Sequence, residues 1–425
     1  MLNAKAALAA LWCCAVLALP AWAAAPSTTL DLRQAFSFTL ERHPDLRRLP
    51  LEQAIVSSEV EIAAQKPAWV AGASLENVLG SGDYRGADGA ELTLSLGSVL
   101  ESPARREARI GFAQSRMAGL DVEAEARRLD LLAEVARRYL DVLALQEEAT
   151  ALEATLDQRG KAADAARRRV AAGASPFSVQ LGAEAAFART ELELARTQAA
   201  VDAARRRLAL MWGGEPTGPV VGELLTLPAT PDFASLASLL ERTPELKRFA
   251  SESRMREARL QLAQAQSRPD LEWQVGVRRL QGSDDWALMG GLSVPLGNRR
   301  RAEPGIRAAR AELDALALER EAGELDLRAT LAEAHGRLQV DALAVRQTTD
   351  KVLPALERAE SAAGQAYRAG ALSYLEWAQL QAELLSARRD RIAAARDFHR
   401  ALIEIQRLTA EPFVLADRAP SETTP

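Results

Sequence analysis

The 425-residue sequence predicts a mainly α-helical chain with a small β portion, in which one plan of helix, β-hairpin, very long helix and returning helix is used twice. Three observations carry that prediction. "LERHPDL" at 40–46 recurs as "LERTPEL" at 240–246, and the copies stay in step: "AAQKPAWVAGASLE" (63–76) answers to "AQAQSRPDLEWQVGV" (263–277), and "RRVAAGASPFSVQ" (168–180) to "AYRAGALSYLEWAQ" (366–379). Such self-similarity marks one structural unit repeated. No proline interrupts the stretch from about Ala104 to Val170, and a helix of that length spans on the order of 100 Å at 1.5 Å per residue. Finally, "AELTLSLGS" at 90–98 alternates apolar and polar side chains without a break, the period of a strand with two different faces.

Taken in order, the chain opens with "MLNAKAALAALWCCAVLALPAWAAAP". Lys5, an apolar run from Ala6 to Leu19, Pro20 and small residues at Ala21, Ala23 and Ala25 predict a secretory signal peptide over 1–25, cleaved between Ala23 and Ala25. The run is short for a bilayer-spanning helix. Cys13 and Cys14 both lie in it, so the mature chain is expected to have no disulfide and no thiolate metal site. Loss of Lys5 takes the formal charge from −5 to about −6. That balance suggests no nucleic-acid partner.

The first repeat is expected over 26–213, with strands at about 68–78 and 90–100 and a long helical hairpin at about 104–212. Residues 214–231, rich in Gly and Pro, read as a linker. The second repeat follows over 232–412, with strands at about 270–279 and 286–295 and a helical hairpin at about 303–410; residues 413–425 read as a flexible tail. Seams at heptad-like spacing run along the returning helices: Leu194, Thr197, Val201, Ala204, Leu208 and Met211 in one, Ala395, Phe398, Leu402 and Ile405 in the other. With aromatics at only 5%, close helix packing is expected. The arginine runs at 167–169 and 205–207 read as solvated faces.

In the strands, Leu92, Leu94 and Leu96 alternate with Thr93, Ser95 and Gly97, and Leu271, Trp273, Val275 and Val277 alternate with Glu272, Gln274, Gly276 and Arg278. Trp69, Ala71, Ala73 and Leu75 share one face of the first strand, and Trp286, Leu288, Leu292 and Val294 one face of the last. A soluble meander with one wet face would show the same alternation. Strands of about ten residues also cross a bilayer when tilted. Four strands leave two open edges, which hydrocarbon does not tolerate, so copies from other chains must complete a membrane sheet of this size. Three chains would close twelve strands, with Leu92, Leu94, Leu96, Leu271, Trp273, Val275 and Val277 facing lipid and Thr93, Ser95 and Gly97 lining the lumen.

The duplicated plan, together with "LENVLGSGDYRGADGAELTLSL" in the first hairpin and "RPDLEWQVGVRRLQGSDDWALMGGLSVPLGNRR" in the second, resembles the TolC family of outer-membrane efflux proteins, and within it the CzcC-like branch. The sequence departs from that branch at Lys66-Pro67, where Asn-Pro is usual, and at "SPARR" (102–106), where Gly-Lys-Arg is usual. The resemblance implies a homotrimer that joins a 12-stranded outer-membrane β-barrel to a long periplasmic α-helical barrel. It implies no enzyme, but a passive exit duct for heavy-metal cations delivered by an inner-membrane pump of the resistance-nodulation-division type through a periplasmic adaptor. Ducts for drug efflux or type I protein secretion would use the same plan, and a soluble periplasmic coiled-coil scaffold is the remaining alternative.

Chemistry-bearing motifs are scarce. His43, His335 and His399 are far apart in sequence with no His or Cys at ligand spacing, so no metal site is expected. "GSGDYRG" at 80–86 lacks the Lys and the strand-then-helix context of a phosphate loop and reads as a hairpin tip; no cofactor is expected. The resemblance places an adaptor-docking tip at Ala172, Gly173, Ala174 and Ser175 and at Ala369, Gly370, Ala371 and Ser373, where glycine is also an ordinary helix C-cap. It places a periplasmic gate at Tyr367, Glu376 and Gln379, the last standing where the family has a second acid.

Overall fold

The computed structural model describes residues 29–215 and 218–414. The expected signal peptide and all but the first two residues of the expected tail lie outside them. The chain begins with α1 (Leu32–Arg42), α2 (Pro44–Arg47) and α3 (Leu49–Ala64), then β1 (Val70–Glu76) and β2 (Glu91–Leu100). Two long helices follow, α4 (Pro103–Ala171) and α5 (Phe177–Ala209). The second half repeats this with α6 (Phe233–Leu239), α7 (Pro244–Ala265), β3 (Leu271–Leu280), β4 (Asp285–Ser293), α8 (Asn298–Gln347), α9 (Leu353–Ala369) and α10 (Tyr374–Thr409).

Local sequence explains most of these limits. Pro44 and Pro244, the shared Pro of the repeated "LER-(His/Thr)-Pro", each sit at the first helical position, where the missing N–H costs nothing. Gly173 and Gly370 take left-handed backbone angles, φ +68° and +84°, at the ends of α4 and α9. The Ala174 and Ala371 amides there donate back to Arg169 O and Ala366 O, closing each helix. The second long helix differs from the expectation of one unbroken rod. Thr348–Val352 form a turn of π-helix just before Pro354, and a proline in a helix removes one backbone donor and crowds the preceding turn.

One antiparallel sheet runs in the order β1-β2-β3-β4. The helices attached to the strands pack in the matching order, α3 on α4, α4 on α7 and α7 on α8. Beyond them, α5 packs on α4, α4 on α10 and α10 on α9. The protomer is thus a wall: β1, α3 and α5 form one lateral edge, and β4, α8 and α9 the other.

The heptad seams lie inside this wall. Val201 and Leu208 are buried on α5 and Met211 just past its end, and Ala395, Phe398, Leu402 and Ile405 are buried on α10. A strap made of the N-terminus and the linker crosses the wall, where Leu30 pairs with Val220 in a parallel bridge. Tyr139 of α4 donates its hydroxyl to Leu30 O at 3.0 Å, and His399 of α10 contacts Leu224 O at 3.0 Å. Burial lowers the His399 pKa, keeping the ring neutral, so Nε2–H donates to that carbonyl. His335 makes the same kind of contact with Pro231 O, and His43 caps α2 by accepting from the Asp45 amide. All three histidines thus serve the backbone.

Candidate channel lining and docking tip

The register settles which residues share a face of the sheet. Thr93 stands opposite Ser74 and Arg278, Ser95 opposite Gly72 and Gly276, and Gly97 opposite Val70 and Gln274. Met289 and Gly291 of β4 continue these rows. Glycine is required on this face because the strands lean together there. A Cβ on Gly97 would lie 2.7 Å from Trp273 O, and one on Gly276 2.7 Å from Leu94 O. This is therefore the concave face of a strongly curled sheet, and Thr93 on it is buried.

The opposite, convex face carries Leu92, Leu94, Leu96, Leu271, Trp273, Val275 and Val277, together with Leu75, Trp286, Leu288 and Leu292. Leu94 is 55% exposed and Leu288 90%. Trp69 and Trp273 meet edge to face at 5.4 Å at the end nearest the helices, and Arg279 lies over Trp286 at the far end. An apolar band with aromatic residues at both ends matches the outer surface of a transmembrane barrel.

A polar cluster on the concave face, near the hairpin connections, was not visible as a unit in the sequence. Arg278 donates from Nη1 to Glu91 at 2.7 Å and from Nε to Thr93 Oγ1 at 2.9 Å, and its Nη2 lies 3.4 Å from Glu76. Asn77 donates to the other oxygen of Glu91 at 2.9 Å. Alternation had placed Arg278 on the polar face, but its partners are nearly two hundred residues away in sequence. Glu272 and Asp285 also lie on this face, so Arg278 is its one cation among four acids in the described strands.

At the far end of the wall the two Gly turns come together. Arg169 contradicts the solvated-run expectation: it reaches across to the second turn, where its guanidinium hydrogen-bonds Tyr367 O and lies 4.9 Å from the Tyr367 ring. It also donates to Ser175 Oγ at 3.2 Å and Ala174 O at 3.3 Å. Arg167 and Arg168 stay exposed. Tyr367 is buried, with its ring 5.2 Å from that of Trp377. Its place is inside the protomer, beneath Arg169. Trp377 packs on Gly364, where a Cβ would meet the indole at 3.1 Å, and donates Nε1–H to Glu360 at 3.0 Å.

The turn residues themselves are open: Ala172, Gly173, Ala174, Ala369, Gly370, Ala371 and Ser373 are exposed, and Ser175 is partly covered. Glu376 is exposed and forms a capping box, accepting from the Ser373 hydroxyl at 2.7 Å and the Ser373 amide at 3.1 Å. These bonds hold its carboxyl below the usual range, so it stays ionised. Gln379 is exposed and donates to Glu383.

A curled sheet with an apolar convex face, continuous with a wall of helices about 100 Å long, defines one protomer's share of a membrane-inserted tunnel. The chain matches the outer membrane efflux protein family over residues 37–214 and 236–411, and belongs to it. It is an outer-membrane efflux channel, and its family are conduits, not enzymes. The cobalt-zinc-cadmium resistance protein CzcC of Cupriavidus metallidurans is 28% identical over 298 residues, 70% of this chain and 71% of CzcC. Among solved structures, CusC superposes with a TM-score of 0.73 at 17% identity, covering 89% of this chain and 91% of that one. The open state of the Neisseria gonorrhoeae MtrE outer membrane channel gives 0.68 at 17% identity, covering 91% of each.

Proposed function

We propose that three copies of this chain close a 12-stranded barrel and a continuous helical tunnel. This tunnel serves as the passive exit duct for metal cations delivered by an inner-membrane pump of the resistance-nodulation-division type through a periplasmic adaptor. The observation that carries the assembly is the pair of unsatisfied lateral edges. Among the described residues β1 and β4 each leave one side unpaired, while α3 exposes Leu51, Ile55 and Ile62 and α8 exposes Leu318, Leu325, Val340 and Leu343. One edge fits the other head to tail, and such contacts generate a ring when the rotation closes.

In this reading the convex leucines and valines face lipid and the concave face lines the lumen. Its excess of acids over the one arginine favours cations as cargo, in keeping with the resemblance to CzcC. Deleting the gene is expected to sensitise cells to cobalt, zinc and cadmium ions, and the cloned chain to restore growth. Sensitivity to organic drugs or loss of a secreted protein, with metal tolerance unchanged, would overturn the cargo while leaving the duct.

The exposed Gly turns form the adaptor-docking tip, and Glu376 supplies three ionised carboxylates around the axis. Glu376→Gln is expected to lower the cation preference read from reversal potentials in planar bilayers. An unchanged reversal potential would remove this residue from the gate.

A further inference from the structure

Arg299, Arg300 and Arg301 fill the first turn of α8, which contains no acid. All three are exposed, and none of their guanidinium groups has a hydrogen bond or ion pair among the described residues. Three cations at the positive end of a helix dipole are unfavourable in isolation.

The first repeat shows what that position does when a neighbour is present. Counted from the helix caps Ser102 and Gly297, Arg105 and Arg300 occupy the same place, as do Arg106 and Arg301, and Arg109 and Pro304. Arg106 and Arg109 reach back to α3 and donate to Ala64 O at 3.0 Å, Ala63 O at 2.8 Å and Gln65 O at 2.9 Å. Arg105 reaches forward to the segment that follows α7, the next helix of the wall, pairing with Asp270 and donating to Gln266 O at 3.2 Å and Arg268 O at 2.5 Å. These carbonyls lie at or just beyond the C-terminal ends of α3 and α7, where the helix supplies no further amide. In α8 the backward reach is curtailed because Pro304 stands where Arg109 would be. The forward arginine is kept, but among the described residues no helix lies beyond α8 at this edge of the wall.

In a closed ring the next helix is α3 of the neighbouring copy, because the β4 edge meets the β1 edge. We propose that Arg300 is an intersubunit clasp whose guanidinium caps the α3 C-terminus of the next protomer at the carbonyls of Gln65 and Lys66. Gln65 O already accepts from Arg109, and its second lone pair remains available. The inference rests on the ring assembly proposed above. It concerns what closes that ring at the membrane boundary, where lipid phosphate is the competing partner for an arginine.

The test uses the mature protein in detergent, with Cys13 and Cys14 replaced by alanine in the expressed gene. Arg300→Cys combined with Lys66→Cys is expected to give covalent dimers and trimers with a short bismaleimide, and neither single variant should do so. In phospholipid-free detergent, Arg300→Gln is expected to speed trimer dissociation about tenfold, the loss of one charge-assisted hydrogen bond per interface, while Arg299→Gln leaves the rate unchanged. A trimeric particle with no cross-link, or with equal dissociation rates for wild type and Arg300→Gln, overturns the clasp alone. A slower wild-type rate that appears only after adding phosphatidylglycerol assigns Arg300 to a lipid headgroup and also overturns it. A wild-type particle that is not a ring of copies overturns the assembly itself.

Discussion

Leu94→Arg is expected to abolish recovery of the protein from the outer membrane fraction, whereas Ser95→Arg is expected to assemble at near wild-type yield and alter only conductance. The two residues are adjacent on β2 but point to opposite faces. Leu94 lies in a row with Ala73 and Val277 on the convex side, and Ser95 lies between Gly72 and Gly276 on the concave side. An arginine on the lipid face costs about 2–4 kcal/mol at the bilayer midplane, and a ring incurs that cost once per copy. At position 95 the same charge stays hydrated, and the flanking glycines leave it room. Equal membrane yields for the two variants would instead indicate a sheet that lies in water.

A second large effect is expected at the glycines that let the sheet curl. Gly276→Val places a Cβ 2.7 Å from Leu94 O and 3.2 Å from Ser95 Cβ. The first is a backbone atom held in the strand ladder, so it cannot rotate away. Overpacking of this kind costs about 1–3 kcal/mol per copy, and relief requires flattening the sheet, which works against closure. Gly290→Val is the control, because a Cβ there meets nothing within 4 Å and points to the convex face. Membrane yield and heat-modified gel mobility are expected to fall sharply for Gly276→Val and to stay unchanged for Gly290→Val. Similar behaviour of both variants would contradict the strong curl.

Much of this was legible in the sequence because it depends on local period. The strand faces follow from strict alternation in "ELTLSL" and "LEWQVGVR", and any register that keeps the hairpins in phase preserves them. The helix starts follow from Pro44 and Pro244, and the tips from Gly173 and Gly370, each a residue with a conformational reason to be there. What stayed hidden depends on distance. Arg169 looked like one member of a solvated run, and nothing local says that its guanidinium reaches Tyr367, 198 residues on. Arg278 read as a polar-face residue, but its bonds to Glu91 and Thr93 appear only when β2 and β3 are paired. The π-helical turn at Thr348–Val352 had no marker beyond Pro354, which sequence alone also allows at the start of a helix. The resemblance places Tyr367 at a gate, and only packing reveals that its ring is enclosed by Arg169 and Trp377.

One chain is proposed to be a third of a tunnel because the edges it leaves open, β1 with α3 and β4 with α8, can meet head to tail. Native mass measurement of the detergent-extracted particle counts the copies. A single species of three copies that keeps its strand signal in circular dichroism is expected; a monodisperse monomer with the same strand content would rule out the ring.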